Sequence, residues 1–133
     1  MAYSYTATTR SGTAIYASPN TDQQQIDSIS SGINVSVETC GVQNFFKTNY
    51  GSTGYILAKQ VYIMNGRTTA VIQGASASDY SNLRELPKQD ATRLAKLYPG
   101  DDVVVLHETS NGYSRVSTTS GTGWVLTNSL YYG

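Results

Sequence analysis

Apolar and polar residues alternate over short stretches along nearly the whole chain. This period of two is typical of β-strands, and clusters of turn-forming residues separate the stretches. In the first half the pattern predicts strands at residues 14–16, 33–37, 45–49, 55–57 and 61–63. In the second half it predicts strands at residues 70–73, 82–86, 103–106, 113–117, 124–126 and 130–132. The pattern therefore predicts an all-β fold.

Two further segments, residues 22–29 and 90–97, each place two apolar residues three positions apart. The apolar pairs are Ile26 with Ile29 and Leu94 with Leu97. This spacing fits one face of a helix, although a helix of about eight residues is marginal in water. A turn that leads into a strand fits the same residues, so both alternatives stay open.

The second half repeats the pattern of the first half. From Ala2 to Thr48 each residue is paired with the residue 68 positions later, and after one inserted residue the offset becomes 69. The matching pairs are Pro19 with Pro87, Gly32 with Gly100, Val35 with Val103, and Leu57 with Leu126. Because internal repeats decide architecture, we expect two tandem small β-barrels, residues 1–65 and residues 66–133. Modules of about 65 residues are marginally stable alone, so we expect them to pack on each other or to form a homo-oligomer.

Charge and composition exclude several classes of partner. Nine basic residues balance nine acidic ones, and no basic cluster provides an electrostatic footprint for nucleic acid. No apolar stretch approaches the roughly 20 residues that span a bilayer, and no secretory signal is visible at the start of the sequence. We therefore expect no nucleic-acid partner and no membrane partner. The expected location is the cell wall, after non-classical or lytic release, or otherwise the cytoplasm.

Candidate catalytic groups are few. Cys40 and His107 are the single cysteine and the single histidine, so a Cys–His nucleophile pair has to be considered. The repeat argues against this pair, because the equivalent of His107 is Thr39 and the two positions end equivalent strands of different modules. Asp101 and Asp102 follow a Pro-Gly turn and fit a solvated loop better than a glycosidase pair. The sequence has no metal-ligand spacing and no phosphate-binding loop, so we expect no cofactor and no catalysis.

Several motifs follow one another in the second half. They are Asn82-Leu83-Arg84-Glu85-Leu86-Pro87, Val103-Val104-Val105, Asn111-Gly112-Tyr113, Thr122-Gly123-Trp124-Val125 and Ser129-Leu130-Tyr131. In this order they resemble bacterial SH3 (Src-homology 3, type 3) domains, as found in cell-wall-targeting regions of peptidoglycan hydrolases and phage endolysins. The first half has the same order but diverges, with Ala14-Ile15-Tyr16 at its start and Tyr55 in place of Trp124. The resemblance covers nearly the whole chain and implies two tandem SH3-like barrels.

The resemblance also implies a function. Such a non-catalytic pair of modules would bind peptidoglycan or another cell-wall polymer and would target a catalytic lysin domain or subunit to the wall. Eleven tyrosines offer stacking faces and hydroxyls that suit a neutral, amide-rich ligand. The groove of SH3-like barrels gives the expected ligand-binding residues, which are Asn82, Arg84, Asp90, Asn111, Tyr113 and Arg115 in the second copy and Tyr16, Asp22, Asn44, Phe45 and Tyr50 in the first.

Duplication would add avidity, because a second weak site on one body faces a millimolar-scale effective concentration of a repetitive polymer. Two other functions stay open. The barrels fit a structural component of a phage particle or cell-surface assembly, where they would bind protein partners. The third alternative, a hydrolase with a divergent site, has the weakest support from the residues.

Overall fold

The computed structural model describes residues 3–22, 24–51, 53–63, 68–74 and 79–132. Within these residues the chain forms fourteen strands and two short 3-10 turns, which confirms the all-β prediction. None of the described helical turns is long and apolar enough to cross a bilayer.

The first seven strands form one antiparallel sheet with the order β3-β2-β6-β5-β4-β1-β7. Their bounds are β1 Ser4–Thr9, β2 Thr13–Tyr16, β3 Gln25–Ile29, β4 Asn34–Thr39, β5 Phe45–Thr48, β6 Gly54–Leu57 and β7 Val61–Tyr62. A 3-10 turn at Ala58–Gln60 joins β6 to β7. β1 was not predicted from the sequence.

The remaining strands form a second antiparallel sheet with the order β10-β9-β13-β12-β11-β8-β14. Their bounds are β8 Thr68–Ile72, β9 Ser81–Arg84, β10 Arg93–Leu97, β11 Asp102–Ser110, β12 Tyr113–Thr118, β13 Gly121–Leu126 and β14 Leu130–Tyr131. A 3-10 turn at Thr127–Ser129 precedes β14. Subtracting seven from each label gives the order of the first sheet, so both halves have the same topology.

The register of the sheets corrects the repeat at one end. Val35 pairs with Ala7 in the first sheet and Val103 pairs with Ala70 in the second, so β1 and β8 are offset by 63 residues rather than 68. From β2 and β9 onward the predicted offsets hold. The second half therefore has a longer connection between its first two strands. The division into residues 1–65 and 66–133 stays a prediction, since residues 64–67 at the junction lie outside the described residues.

The two ambiguous segments contain strands, so the helical alternative is wrong. Residues 25–29 form β3, which pairs with β2, and residues 93–97 form β10, which pairs with β9. A turn precedes each strand. The physical reason is that so short a helix satisfies few of its own backbone groups, whereas pairing in a sheet satisfies most of them.

The hairpin between β11 and β12 has the two-residue loop that its sequence predicts. Ser110 pairs with Tyr113, and the intervening Asn111 and Gly112 have φ values of 54° and 80°. Positive φ at both central residues defines a type I′ turn, which asparagine followed by glycine adopts with little strain.

Two clusters of buried side chains form the interior, and β11 lies between them. Val103 belongs to the core of the second half, whereas Val104 and Leu106 belong to the cluster built from the first half. Successive residues of a strand point to opposite faces of the sheet, so β11 is apolar on both faces. The two halves therefore share a buried, tightly packed interface.

Candidate functional site

A buried arginine lies in the interface between the halves. Arg115 of β12 is 2% exposed, and its guanidinium carbon lies 4.2 Å from the ring centroid of Phe46 in the first half. Its Nη1 donates to Glu108 Oε1 at 3.2 Å, and its Nη2 donates to the Phe45 carbonyl at 3.3 Å. Burial lowers the pKa of Arg115, and the nearby Glu108 carboxylate partly offsets this effect. The arrangement holds the two halves together.

Aromatic residues of β1 extend this cluster. The Tyr5 hydroxyl donates to Glu108 Oε2 at 2.7 Å and lies 3.0 Å from His107 Nδ1. A hydroxyl has one proton, so His107 Nδ1 is the donor in the second contact. Burial raises the pKa of Tyr5, and the hydrogen bond to Glu108 raises it further, whereas the His107 backbone N–H lowers it. The Tyr3 ring stacks on His107 with centroids 4.1 Å apart.

The candidate catalytic pair has structural roles. His107 is held by Tyr3 and Tyr5, and the Cys40 thiol donates to the Phe45 carbonyl at 3.6 Å. Both residues border the interface between the halves. Within the described residues no group of three or more His, Cys, Asp or Glu side chains is arranged to hold a metal ion.

A polar cleft of about 580 Å³ opens on the second half and reaches the interface between the halves at Val104 and Ser117. Its charged side chains are Lys96 at the end of β10 and Asp101 and Asp102 at the start of β11. The exposed Thr119 and the half-buried Ser120 also line the cleft, whereas Ser117 and Thr118 are buried and their hydroxyls are hydrogen-bonded within the protein. A cleft of this size is in the range of small-ligand sites, and it presents both signs of charge beside several neutral donors and acceptors.

Two exposed tyrosines form an aromatic rim beside the cleft. Tyr80 is 41% exposed and Tyr98 is 44% exposed, and their ring centroids lie 6.0 Å apart. Lys96 Nζ lies 4.6 Å from the Tyr80 centroid, within the range of a cation–π contact. The Tyr98 backbone N–H donates to Asp101 Oδ2 at 2.8 Å. These contacts join the aromatic rim to the charged groups of the cleft.

The first half has no equivalent of this site. At the offset of 68, Lys96 corresponds to Ser28, Tyr98 to Ser30, and Asp101 to Ile33. The charges of Lys96 and Asp101 and the ring of Tyr98 are thus replaced by small or apolar side chains, and Asp102 corresponds to Asn34. Within the described residues, this combination of charged side chains and exposed rings belongs to the second half.

Three of the predicted ligand-binding residues are buried in the structure. Arg115 is buried against Phe46, and the side chains of Phe45 and Tyr113 are 2% and 7% exposed. Each was assigned to the surface by analogy with a single barrel. For Arg115 the reason is the packing of the first half, since its guanidinium lies on Phe46, and Phe45 and Tyr113 are buried as well.

The other predicted residues do not form one groove. Arg84 Nη1 donates to the Ala91 carbonyl at 2.9 Å, and Asn111 Nδ2 donates to the Pro87 carbonyl at 3.2 Å, so both hold the loop between β9 and β10. The half-buried Tyr16 packs edge-on against Phe45 with centroids 6.2 Å apart. Asp22, Tyr50 and Asp90 are exposed, and Asn44 is half-buried. Asn82 adjoins the cleft, because it pairs with Lys96 in the register of β9 and β10.

Sequence reasoning missed Tyr80, Lys96 and Tyr98, and it placed Asp101 and Asp102 in a solvated loop. The available signal was the difference between the two copies. Where a repeat has aromatic and charged residues that its partner lacks, those residues are not required by the shared fold, and they are candidates for binding.

The fold and the cleft together define an all-β protein with an open polar site. Residues 79–131 match the family model of the bacterial SH3 domain, and this match lies within the second half. Among solved structures, the chain is similar to NlpC2 from Trichomonas vaginalis, with 14% identity and a TM-score of 0.45 over 98% of this chain and 49% of that one. NlpC1 from the same organism gives 13% identity and a TM-score of 0.45 over 98% and 46%. The chain thus spans about half the length of these solved chains. No curated protein matches its sequence.

Proposed function

We propose that this chain is a non-catalytic cell-wall-binding protein built from two SH3-like domains, residues 1–65 and 66–133. It recognises peptidoglycan or a related wall polymer and brings a wall hydrolase, on the same polypeptide or as a partner subunit, to its substrate. The observation that carries the proposal is the cleft of the second half, where Lys96, Asp101 and Asp102 lie beside exposed tyrosines. The match of residues 79–131 to the bacterial SH3 domain supports the same function.

The chemistry of the cleft suits a ligand that is neutral overall but carries both kinds of charged group. Lys96 can bind a carboxylate, and Asp102 can bind an amine, as in the peptide part of a wall polymer. The hydroxyls of Thr119 and Ser120 offer hydrogen bonds to amides or sugar hydroxyls. Tyr98 presents an exposed face on which a sugar ring or peptide plane can stack.

Sedimentation of the purified protein with washed, insoluble cell walls tests the proposal. We expect the wild type to sediment with the walls. Lys96→Ala, Asp102→Asn and Tyr98→Ala should each weaken binding by about tenfold, because each removes a contact of about 1.4 kcal/mol. Lys88→Ala and Tyr131→Ala are matched controls, since both side chains are exposed and neither lines the cleft.

The outcomes separate the alternatives. A wild type that stays in the supernatant overturns the proposal, and a specific protein partner recovered in its place favours the assembly role. Wall binding that all three cleft variants retain in full contradicts the placement of the site. Release of soluble wall fragments by the isolated protein contradicts its non-catalytic character.

A further inference from the structure

A second depression of about 440 Å³ lies beside the polar cleft and belongs mostly to the first half. Its lining includes Arg10, Ser11, Ser31 and Tyr62 from the first half and Thr119 from the second. Thr119 also lines the cleft. The two depressions therefore meet at one turn, between β12 and β13, where the second half adjoins the first.

The turn where the depressions meet is firmly held. Arg10 Nε donates to the Thr119 carbonyl at 2.8 Å, and its Nη1 donates to the Lys59 carbonyl at 3.2 Å. Within the turn, the Ser120 backbone N–H donates to Thr118 Oγ1 at 3.0 Å. At Gly121 the backbone approaches that of Lys59 so closely that a Cβ atom would lie 3.2 Å from the Lys59 Cα. The relative position of the two depressions is thus fixed before any ligand binds.

From this placement we propose that the two depressions form one continuous path for a linear polymer that is longer than the cleft. The proposal rests on the proposed function of the cleft. The chemistry of both parts is similar, since each combines a basic side chain, hydroxyls and a nearby tyrosine: Lys96 with the Tyr80 and Tyr98 rim in the cleft, and Arg10 with Tyr62 in the second depression. The occupant is therefore a hydroxyl- and amide-rich chain that carries carboxylates at intervals.

This path differs from the bivalent binding that duplication alone predicts. Two independent sites would lie at equivalent positions of the two halves, and each would take a separate segment of polymer. Here the cleft has no equivalent in the first half, because Ser28 and Ser30 stand where the second half has Lys96 and Tyr98. The first half contributes a different surface, which meets the same polymer segment after it has passed the turn at Thr119.

The dependence of affinity on polymer length tests the path. Soluble fragments released from purified walls by a glycosidase are separated by length, and their affinities for the full chain are measured by calorimetry. We expect affinity to rise by about tenfold or more between a single repeating unit and a fragment of several units. Ser31→Trp places a bulky side chain in the second depression and should abolish this gain while affinity for the single unit is unchanged. Thr21→Trp is the matched control, since Thr21 is exposed and lies outside both depressions.

A second variant guards against an indirect effect of the bulky side chain. Tyr62→Phe removes a hydroxyl from the second depression and leaves the hydrogen bonds of the turn unchanged, and it should reduce the gain for long fragments without changing single-unit affinity. Equal affinity for all lengths, or a full gain retained in Ser31→Trp, overturns the path while wall binding and the proposed function stand. Failure of every fragment and of intact walls to bind overturns the proposed function itself, and the path with it.

Discussion

The guanidinium carbon of Arg115 lies 4.2 Å from the ring centroid of Phe46, so a charged side chain of the second half stacks on a core aromatic ring of the first. The contact is almost completely buried, and Arg115 Nε has no hydrogen-bond partner. A buried cation costs desolvation energy that a stacked ring and one carboxylate must offset. This contact helps to pack the two halves into one unit. It also makes the stability of their interface sensitive to single substitutions.

Replacing Arg115 with methionine is expected to destabilise the protein by about 2–3 kcal/mol. The substitution preserves most of the packing against Phe46 but leaves the Glu108 carboxylate without its cation. The effect falls below that of a fully buried pair because the Glu108 side chain is 17% exposed. Urea denaturation measures the change. The double substitution Arg115→Met with Glu108→Gln should recover part of the loss, since no unpaired charge then remains.

The matched control is Arg93→Met, an exposed arginine in β10 whose replacement should change the free energy of unfolding by less than about 0.5 kcal/mol. A double variant less stable than Arg115→Met alone would contradict this account, because it would mean that the Glu108 charge is not the source of the loss.

Gly121→Ala is expected to destabilise the protein more than Gly100→Ala. Both glycines have positive φ, 115° at Gly121 and 94° at Gly100, so both substitutions carry a similar backbone cost of about 1–2 kcal/mol. A Cβ at Gly100 would meet nothing within 4 Å, whereas a Cβ at Gly121 would collide with the Lys59 backbone across the interface. Overpacking adds about 1–3 kcal/mol at Gly121 alone. Thermal unfolding of the two variants measures the difference. Equal destabilisation would show that the interface accommodates the Cβ atom without loss of stability.

Much of the fold could be predicted from the sequence because a strand shows a local alternation of apolar and polar residues. The alternation at Val35 and Val37 favours a strand, and the pair Asn111-Gly112 favours a tight hairpin turn. Each of these structures depends only on neighbouring residues. The packing of one half on the other could not be predicted in the same way, since it depends on residues far apart in the chain. A signal was present all the same. Val104 and Leu106 stand where the first copy has Ser36 and Glu38, and apolar residues on both faces of a strand indicate burial on both faces.

The candidate site was less predictable than the fold. Arg115 and Tyr113 were assigned to a groove because a single SH3-like barrel exposes that face, whereas here Arg115 packs on Phe46 of the first half and Tyr113 is buried. The cleft arises where the end of β10, the start of β11 and the end of β12 meet, and no local pattern brings Lys96 near Ser117. Such a site depends on the sheet order, which the sequence implies only through the repeat.

The stability of the protein is expected to fall in alkaline solution partly through Tyr5. Its pKa is raised in the folded state by burial, so the contribution of the neutral hydroxyl is complete below the ordinary pKa of about 10 and is lost as pH rises beyond that value. Tyr5→Phe should be less stable at neutral pH by about 1–2 kcal/mol, because it loses the hydrogen bond to Glu108. Above pH about 10 the gap between wild type and variant should narrow, since the wild type alone bears the cost of ionising Tyr5.

Urea denaturation at several pH values measures the gap for Tyr5→Phe. Tyr132→Phe is the control, because Tyr132 is 57% exposed and its replacement should leave stability almost unchanged at every pH. A gap for Tyr5→Phe that stays constant from neutral to strongly alkaline solution would show that the hydroxyl does not titrate differently in the folded and unfolded states.

The second half, expressed alone as residues 66–133, is expected to be poorly soluble or to self-associate. Removing the first half exposes Val104 and Leu106, which are 6% and 5% exposed in the intact chain and lose the core that covers them. Burying such side chains stabilises a fold by about 1.5–3 kcal/mol each, and an exposed apolar strand face promotes association.

The double substitution Val104→Ser with Leu106→Glu copies the first-half residues and should give a soluble monomer with dispersed amide resonances. The same substitutions in the full chain should lower its stability by several kcal/mol, because there they place polar groups in the shared core. Size-exclusion chromatography measures the oligomeric state of residues 66–133, and urea denaturation measures the stability of the full chain. An excised half that is monomeric without the substitutions would contradict the view that β11 needs a cover on both faces.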